Sequence, residues 1–158
     1  MKLMDIDTSD FQEESKIEGE DPEDTKLLRE MAAEARTYIE DFEWSPRITS
    51  IHLALGVGGV VAAFLVQFDE VIEDSDDALW VIVGDLPSAY VIVEPDDDGI
   101  SALERYCELM EDWAFNVLKG RSLEDSFPVE AEATQEHAEM LRQRIVFLRT
   151  EIIESSDD

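Results

Sequence analysis

The feature that most constrains this chain is an apolar run over residues 51–68 that is interrupted by glycines. The run is about as long as the shortest helix that can span a membrane. Gly56, Gly58 and Gly59 cluster near its middle, where they weaken a helix but supply the backbone freedom of a tight turn. Acidic residues follow it directly. The run therefore predicts two β-strands joined by a glycine turn, and no membrane span.

The charge of the chain limits which partners it can have. Acidic residues outnumber basic ones by 40 to 12, and the formal net charge at pH 7 is −28. Charge of this size governs solubility and partner choice more than the fold. No basic stripe is available to neutralise phosphates, so the sequence predicts no nucleic-acid ligand and disfavours anionic membranes. A basic protein, a cation or a salty cytoplasm is compatible with it.

The distribution of apolar residues sets the expected domain organisation. In residues 1–23, Asp, Glu, Ser and Gly dominate and the apolar residues are isolated. Such a stretch cannot bury enough apolar area to offset its ordering entropy, so it is predicted to be an acidic, disordered tail. Residues 24–154 are predicted to form a single α+β domain. One cysteine and no visible signal peptide make a cytoplasmic location the default.

The periodicity of the apolar residues predicts the element order α-β-β-β-β-α-α, with a four-stranded antiparallel meander covered by helices. Asp21 and Pro22 are expected to start a helix over 23–42. Ser101 is expected to open a helix over 101–118 with a capping box. The strands are predicted over 47–55, 60–68, 78–83 and 89–93, and the last helix over 134–153.

Two segments carry a resemblance to known proteins. Residues 80–90 read WVIVGDLPSAY, and residues 106–113 read YCELMEDW. In these segments the chain resembles short, uncharacterised bacterial cytosolic proteins, over residues 44–153. The resemblance implies a bacterial, cytosolic origin, and it transfers no activity and no site.

The residue types that carry catalysis are few. Cys107 lies on the apolar face of a predicted helix, where cysteine acts as a small hydrophobe. His52 and His137 are distant from it in sequence, which is a weak basis for a zinc site. The glycine turn leads into a strand, which argues against a nucleotide site. The sequence therefore predicts no catalytic residue, no metal ligand and no cofactor.

One tryptophan and two acidic loops remain as candidate binding residues. Trp44 lies at the boundary between a predicted helix and a predicted strand. An exposed aromatic side chain ringed by acids would anchor a basic protein surface at this point. Neither acidic loop has the D-x-D-x-D-G spacing of a calcium loop. The candidate loop residues are Glu73, Asp74, Asp76, Asp77, Glu94, Asp96, Asp97 and Asp98.

These observations favour a non-enzymatic, acidic protein-binding module that neutralises a basic partner, for example an immunity or inhibitor protein. Two alternatives stay open. Because the acids are spread along the chain and lysine is scarce, the charge could serve only solubility in a salt-adapted cytoplasm. An unrecognised metal-dependent enzyme would instead need a pocket lined by carboxylates with raised pKa values. The sequence does not indicate an oligomeric state.

Overall fold

The computed structural model describes residues 8, 11–72, 77–94, 97–123 and 132–154. This part of the chain contains five strands and three α-helices, so the fold class is α+β, as predicted. The strands are β1 (Gln12–Glu13), β2 (Ile48–Val57), β3 (Val61–Phe68), β4 (Ala78–Gly84) and β5 (Ala89–Ile92). The helices are α1 (Pro22–Glu40), α2 (Gly99–Leu118) and α3 (Gln135–Leu148), and a π-helical turn (Arg149–Ile153) follows α3.

The chain forms two compact units, residues 1–102 and 103–158. The first unit holds the five strands and α1. The second holds α3 and all of α2 except its first turn. The expectation of one domain over residues 24–154 stays a prediction.

The five strands form one antiparallel sheet in sequence order. The apolar run of the sequence is the β2–β3 hairpin, with Ile51 opposite Val66. Gly59 in its turn has a φ of +78°, a conformation that side chains disfavour. The two predicted strands are confirmed. The turn between them contains Gly58 and Gly59, whereas Gly56, also predicted in the turn, lies within β2 opposite Ala62. Among the described residues, no helix is long and apolar enough to cross a membrane.

The structure has one strand more than the sequence predicts. β1 pairs with the middle of β2 through two residues and is followed by a 3-10 turn. Ile17 then inserts into the core and is completely buried. The Arg29 Nε–H donates to the carbonyl of Ile17 at 3.0 Å. A two-residue strand and one buried isoleucine are too short to produce an apolar periodicity. The acidic composition of the segment therefore predicts a tail and does not indicate either of them.

The core of the first unit lies between α1 and one face of the sheet. Alternation along the strands places Phe64 and Val81 on this face. α1 contributes buried side chains at helical spacing, namely Leu28, Met31, Ala32, Ala35 and Ile39. Each fully buried Leu, Ile or Met side chain contributes about 1.5–3 kcal/mol. A helix therefore covers one face of the sheet, and coverage by the other two helices stays a prediction.

Capping hydrogen bonds at the starts of α1 and α2 show which residue begins each helix. At α1, the Asp21 side chain accepts the backbone N–H of Asp24 at 2.7 Å, as the sequence predicts. α2 begins at Gly99, before the predicted start. The Asp98 carboxylate accepts the backbone N–H of Ser101 at 2.8 Å. The predicted Ser101 cap is therefore wrong, because Asp98 is an equally suitable cap residue and lies three residues earlier.

Candidate functional site

Four aromatic side chains from the end of α1, the loop after it and β5 form one cluster. The Phe42 ring centroid lies 5.3 Å from that of Tyr38 and 5.3 Å from that of Tyr90. Trp44 stacks on Phe42 at 5.1 Å, with 26° between the ring planes. Trp44 also meets Tyr90 at 5.3 Å in an edge-on contact. Trp44 is nevertheless 41% exposed, so the cluster presents an aromatic surface to solvent.

The way α1 ends explains the position of this tryptophan. In the turn after the helix, the backbone N–H of Ser45 donates to the carbonyl of Phe42 at 3.0 Å. Pro46 disfavours helical backbone for the residue before it, so the helix cannot continue through this loop. Tyr90 reaches the cluster from β5, where it lies opposite Val81. The site is therefore assembled by a helix end and by a strand distant in sequence.

Exposed carboxylates flank the cluster. Glu40, Asp41 and Glu43 are exposed and lie within four residues of the tryptophan. Glu30 and Glu34 extend the acidic surface along α1 at a spacing that places them on one side of the helix. Within the described residues, ion pairs involve none of these five carboxylates. As far as the structure describes the chain, the acidic residues near the aromatic cluster therefore carry negative charge that no salt bridge neutralises.

The end of α1 is electrostatically unfavourable on its own. The C-terminal end of a helix carries a partial negative charge, which favours basic side chains there. α1 instead ends with Glu40 and the cap residue Asp41, and its last turn contains no basic residue. Arg36 lies one turn earlier, where its hydrogen bond to Glu14 at 2.7 Å raises the pKa of its guanidinium. A cationic group supplied from outside the chain would stabilise this end.

The carboxylates of the second predicted acidic loop have roles in the fold. Asp97 Oδ2 accepts the indole N–H of Trp80 at 2.8 Å and the backbone N–H of Glu94 at 3.0 Å. Asp98 caps α2. Glu94 itself is exposed. The structure thus explains two of these acids by the hydrogen bonds they accept, and their role in binding stays a prediction.

The first predicted acidic loop is described only at its end. Asp77 is half-buried, and its carbonyl accepts the backbone N–H of Phe68 at 2.8 Å. The binding role of Asp77 stays a prediction as well. The candidates Glu73, Asp74, Asp76 and Asp96 lie outside the described residues.

The second unit carries a groove of different charge. It has a volume of about 590 Å³ and is lined by Glu111, Phe115, Leu118, Lys119, Gln135, Glu139 and Arg142. Phe115 is 44% exposed, and the Arg121 guanidinium lies 4.9 Å from its ring centroid. The Lys119 ammonium lies 5.9 Å from the same ring. The two acids in the lining are paired with arginines. The exposed ring of Phe115 therefore lies close to cationic side chains, whereas the residues around Trp44 in sequence are acidic.

Cys107 and the potential metal-ligating side chains are the other groups associated with catalysis. Cys107 is completely buried on α2, and desolvation raises the pKa of its thiol to about 11. Such a thiol is not ionised at neutral pH and is not a nucleophile. Among the described residues, no group of three or more His, Cys, Asp or Glu side chains could hold a metal ion.

Comparisons with protein-family models, with curated proteins and with solved structures found no match to this chain. The resemblance to short bacterial proteins therefore stays a prediction. The function has to be inferred from the chemistry of the chain's own surfaces.

Sequence reasoning identified Trp44 but missed the residues that surround it. Asp41 had a readable signal, because an acid at the end of a helix whose last turn contains no basic residue opposes the helix dipole. Tyr90 had none, since its contact with Phe42 depends on the register of the sheet and the position of α1.

Proposed function

We propose that this protein is a non-enzymatic binding module that recognises a basic protein through the Trp44 cluster and the carboxylates at the end of α1. The observation that supports the proposal is a 41% exposed tryptophan, stacked on a second aromatic ring, beside acids that form no ion pair in the described chain. Neutralisation of a basic protein, as by an immunity or inhibitor protein, is the form of binding that this chemistry suits.

The two parts of the surface have different roles in this proposal. Tryptophan is enriched among the residues that dominate binding energies, since it buries a large apolar area and has few rotamers to lose. Here the stacking of Trp44 on Phe42 holds the indole ring in place before a partner arrives. The carboxylates, together with the net charge of −28, accelerate the approach of a basic protein and select against acidic ones.

The test is a pull-down from the native host with three forms of the full chain: wild type, Trp44→Ala and Phe115→Ala. Phe115 is the matched control because it is an aromatic residue of similar exposure with cations around it. We expect a basic protein to be retained by the wild type and by Phe115→Ala. We expect Trp44→Ala and a high-salt wash to release it.

Retention of the same basic protein by Trp44→Ala would overturn the proposal, and so would the absence of any protein that the wild type retains.

A role of the charge in solubility alone is the second candidate. The acids along the exposed side of α1 favour it, because like charges four residues apart destabilise a helix unless salt screens them. This function requires that the chain unfold in dilute buffer and fold in molar salt. Circular dichroism at both salt concentrations separates it from the binding function, which requires a folded protein at low salt.

A further inference from the structure

We infer that the group recognised by the Trp44 cluster is an arginine side chain of the partner, stacked on the exposed face of the indole ring. The inference rests on the proposed function and names the chemical group that the same site selects. It follows from the spacing of the rings, from the charges beside them and from a comparable contact elsewhere in the chain.

The spacing of the rings excludes a cage for an alkylated ammonium group. Such a cage places a cation between aromatic faces that it approaches within about 6 Å of each ring centroid. In this cluster the rings of Phe42, Trp44 and Tyr90 lie only 5.1–5.3 Å apart and are in contact with one another. No space is left between them for a cation. A cationic group can therefore approach only from outside, over the exposed part of Trp44.

Within the part of the chain that the structure describes, the Trp44 ring has no cationic side chain over it. Among the described residues, cation–aromatic contacts are made by Lys119 and Arg121 and involve only Phe115. Arg36 on α1 is engaged by Glu14. Arg47, three residues after Trp44, is exposed and makes no cation–aromatic contact within the described residues. Among the described residues, the Trp44 ring therefore makes no cation–aromatic contact of its own, and a cation from a partner can take that place.

An arginine fits this site better than a lysine for two reasons. Its planar guanidinium is weakly hydrated and stacks on an aromatic ring, whereas the lysine ammonium is a strongly hydrated point charge. While stacked, the guanidinium keeps its in-plane N–H donors free for carboxylates. Asp41 and Glu43 lie within three residues of Trp44 in sequence and form no ion pair within the described chain. Arg121 provides an example within this protein, since its guanidinium lies 4.9 Å from the Phe115 ring centroid.

The experiment compares octa-arginine with octa-lysine as probes of equal charge, by calorimetry at low salt. If charge alone decides, the two peptides bind with equal affinity. Stacking on Trp44 predicts that the wild type binds octa-arginine about fivefold more tightly. This preference should be lost in Trp44→Ala and kept in Phe115→Ala.

A second measurement protects the test against a variant that does not fold. Of the three tryptophans, Trp80 and Trp113 are buried, so acrylamide quenching of the wild-type fluorescence reports mainly on Trp44. Octa-arginine should reduce the quenching, and octa-lysine at the same occupancy should reduce it less.

The outcomes separate the two proposals. If the two peptides bind with equal affinity and protect Trp44 equally from acrylamide quenching, the arginine inference is refuted and the binding function is left in place. A preference for octa-arginine that persists in Trp44→Ala would refute it as well, since the stacking would then lie elsewhere. Failure of both peptides to bind the wild type would contradict the proposed function itself.

Discussion

Single carboxylates in this protein divide into two groups by what their oxygens contact. Asp97 and Asp24 accept hydrogen bonds inside the fold, and Asp24 joins α1 to the hairpin turn through the backbone N–H of Gly58 at 2.8 Å. Asp41 and Glu43 are exposed, and their carboxylates accept no hydrogen bond within the described residues. The first group stabilises the structure, and the second is available to a partner. Substitutions should separate the two roles.

Asp97→Ala tests the first group. It leaves the indole N–H of the fully buried Trp80 without its acceptor, which costs about 1–3 kcal/mol. Urea unfolding should therefore show a loss of this size, whereas the control Glu43→Ala should stay within about 0.5 kcal/mol of the wild type. Equal stabilities for the two variants would show that the hydrogen bond between Trp80 and Asp97 does not stabilise the folded state.

Cys107 should make stability fall at alkaline pH. Burial raises its pKa to about 11, so the folded state keeps the thiol proton over a pH range in which the unfolded state loses it. The contribution is present below about pH 8.5, the ordinary pKa of cysteine, and is lost as the pH rises towards 11. Once the thiol is ionised in both states, the loss amounts to about 3 kcal/mol.

Urea unfolding of the wild type and of Cys107→Ala at pH 8 and pH 10.5 measures this contribution. The wild type should lose more stability between the two pH values than the variant, because other groups titrate alike in both. Parallel losses would mean that Cys107 titrates in the folded state as it does in the unfolded state.

Among the elements, α1 combines a favourable start with an unfavourable end. Glu23 and Asp24 lie in its first turn, where the helix dipole favours acids, while Glu40 and Asp41 lie at the end that disfavours them. A chain selected for stability alone would place basic residues at that end. The arrangement is what a surface kept for a cationic partner would show, since functional sites often sacrifice local stability.

Asp41→Lys and Glu23→Lys form a matched pair for this account, because both change the net charge equally. Asp41→Lys should raise the free energy of unfolding by about 0.3–1 kcal/mol, and Glu23→Lys should lower it by a similar amount. Asp41→Lys should weaken the binding of octa-arginine more than Glu23→Lys does. If both variants shifted stability in the same direction, the global charge and not the helix dipole would be the cause.

The segment before α1 gives the largest difference between expectation and structure. Ile17→Ala should cost about 2–5 kcal/mol, because Ile17 is completely buried with α1 residues in the core. Ile92→Ala removes the same atoms from a side chain that is 54% exposed and should cost much less. Thermal unfolding compares the two. A negligible effect of Ile17→Ala would show that this segment does not contribute to the core.

The elements with long apolar periodicity could be predicted from the sequence, and those without it could not. The hairpin over residues 51–68 and the helix starting at Asp21 follow from alternation, glycine and capping chemistry. β1 could not be predicted, because its two residues are placed by pairing with β2 and not by their own composition. Trp44 was identified because it lies at an element boundary, whereas Tyr90 required the three-dimensional register.

For the whole molecule, the net charge of −28 should govern how a partner approaches more than how tightly it is held. Attraction between exposed charges is largely screened beyond about 8 Å at physiological ionic strength. In the proposed function, contacts at Trp44 and its neighbouring carboxylates therefore supply the remaining affinity. In this account the charge acts over the entire surface, and recognition is concentrated at one aromatic cluster.

The most direct test of this claim is an NMR titration of the indole N–H signals of the three tryptophans with octa-arginine. Trp44 is the exposed one, whereas the Trp80 indole donates to Asp97 and Trp113 is 3% exposed. The account predicts that the chemical shift of the Trp44 indole N–H changes with peptide concentration until it reaches a plateau, while the signals of Trp80 and Trp113 do not move. A peptide that binds without moving the Trp44 signal would contradict it.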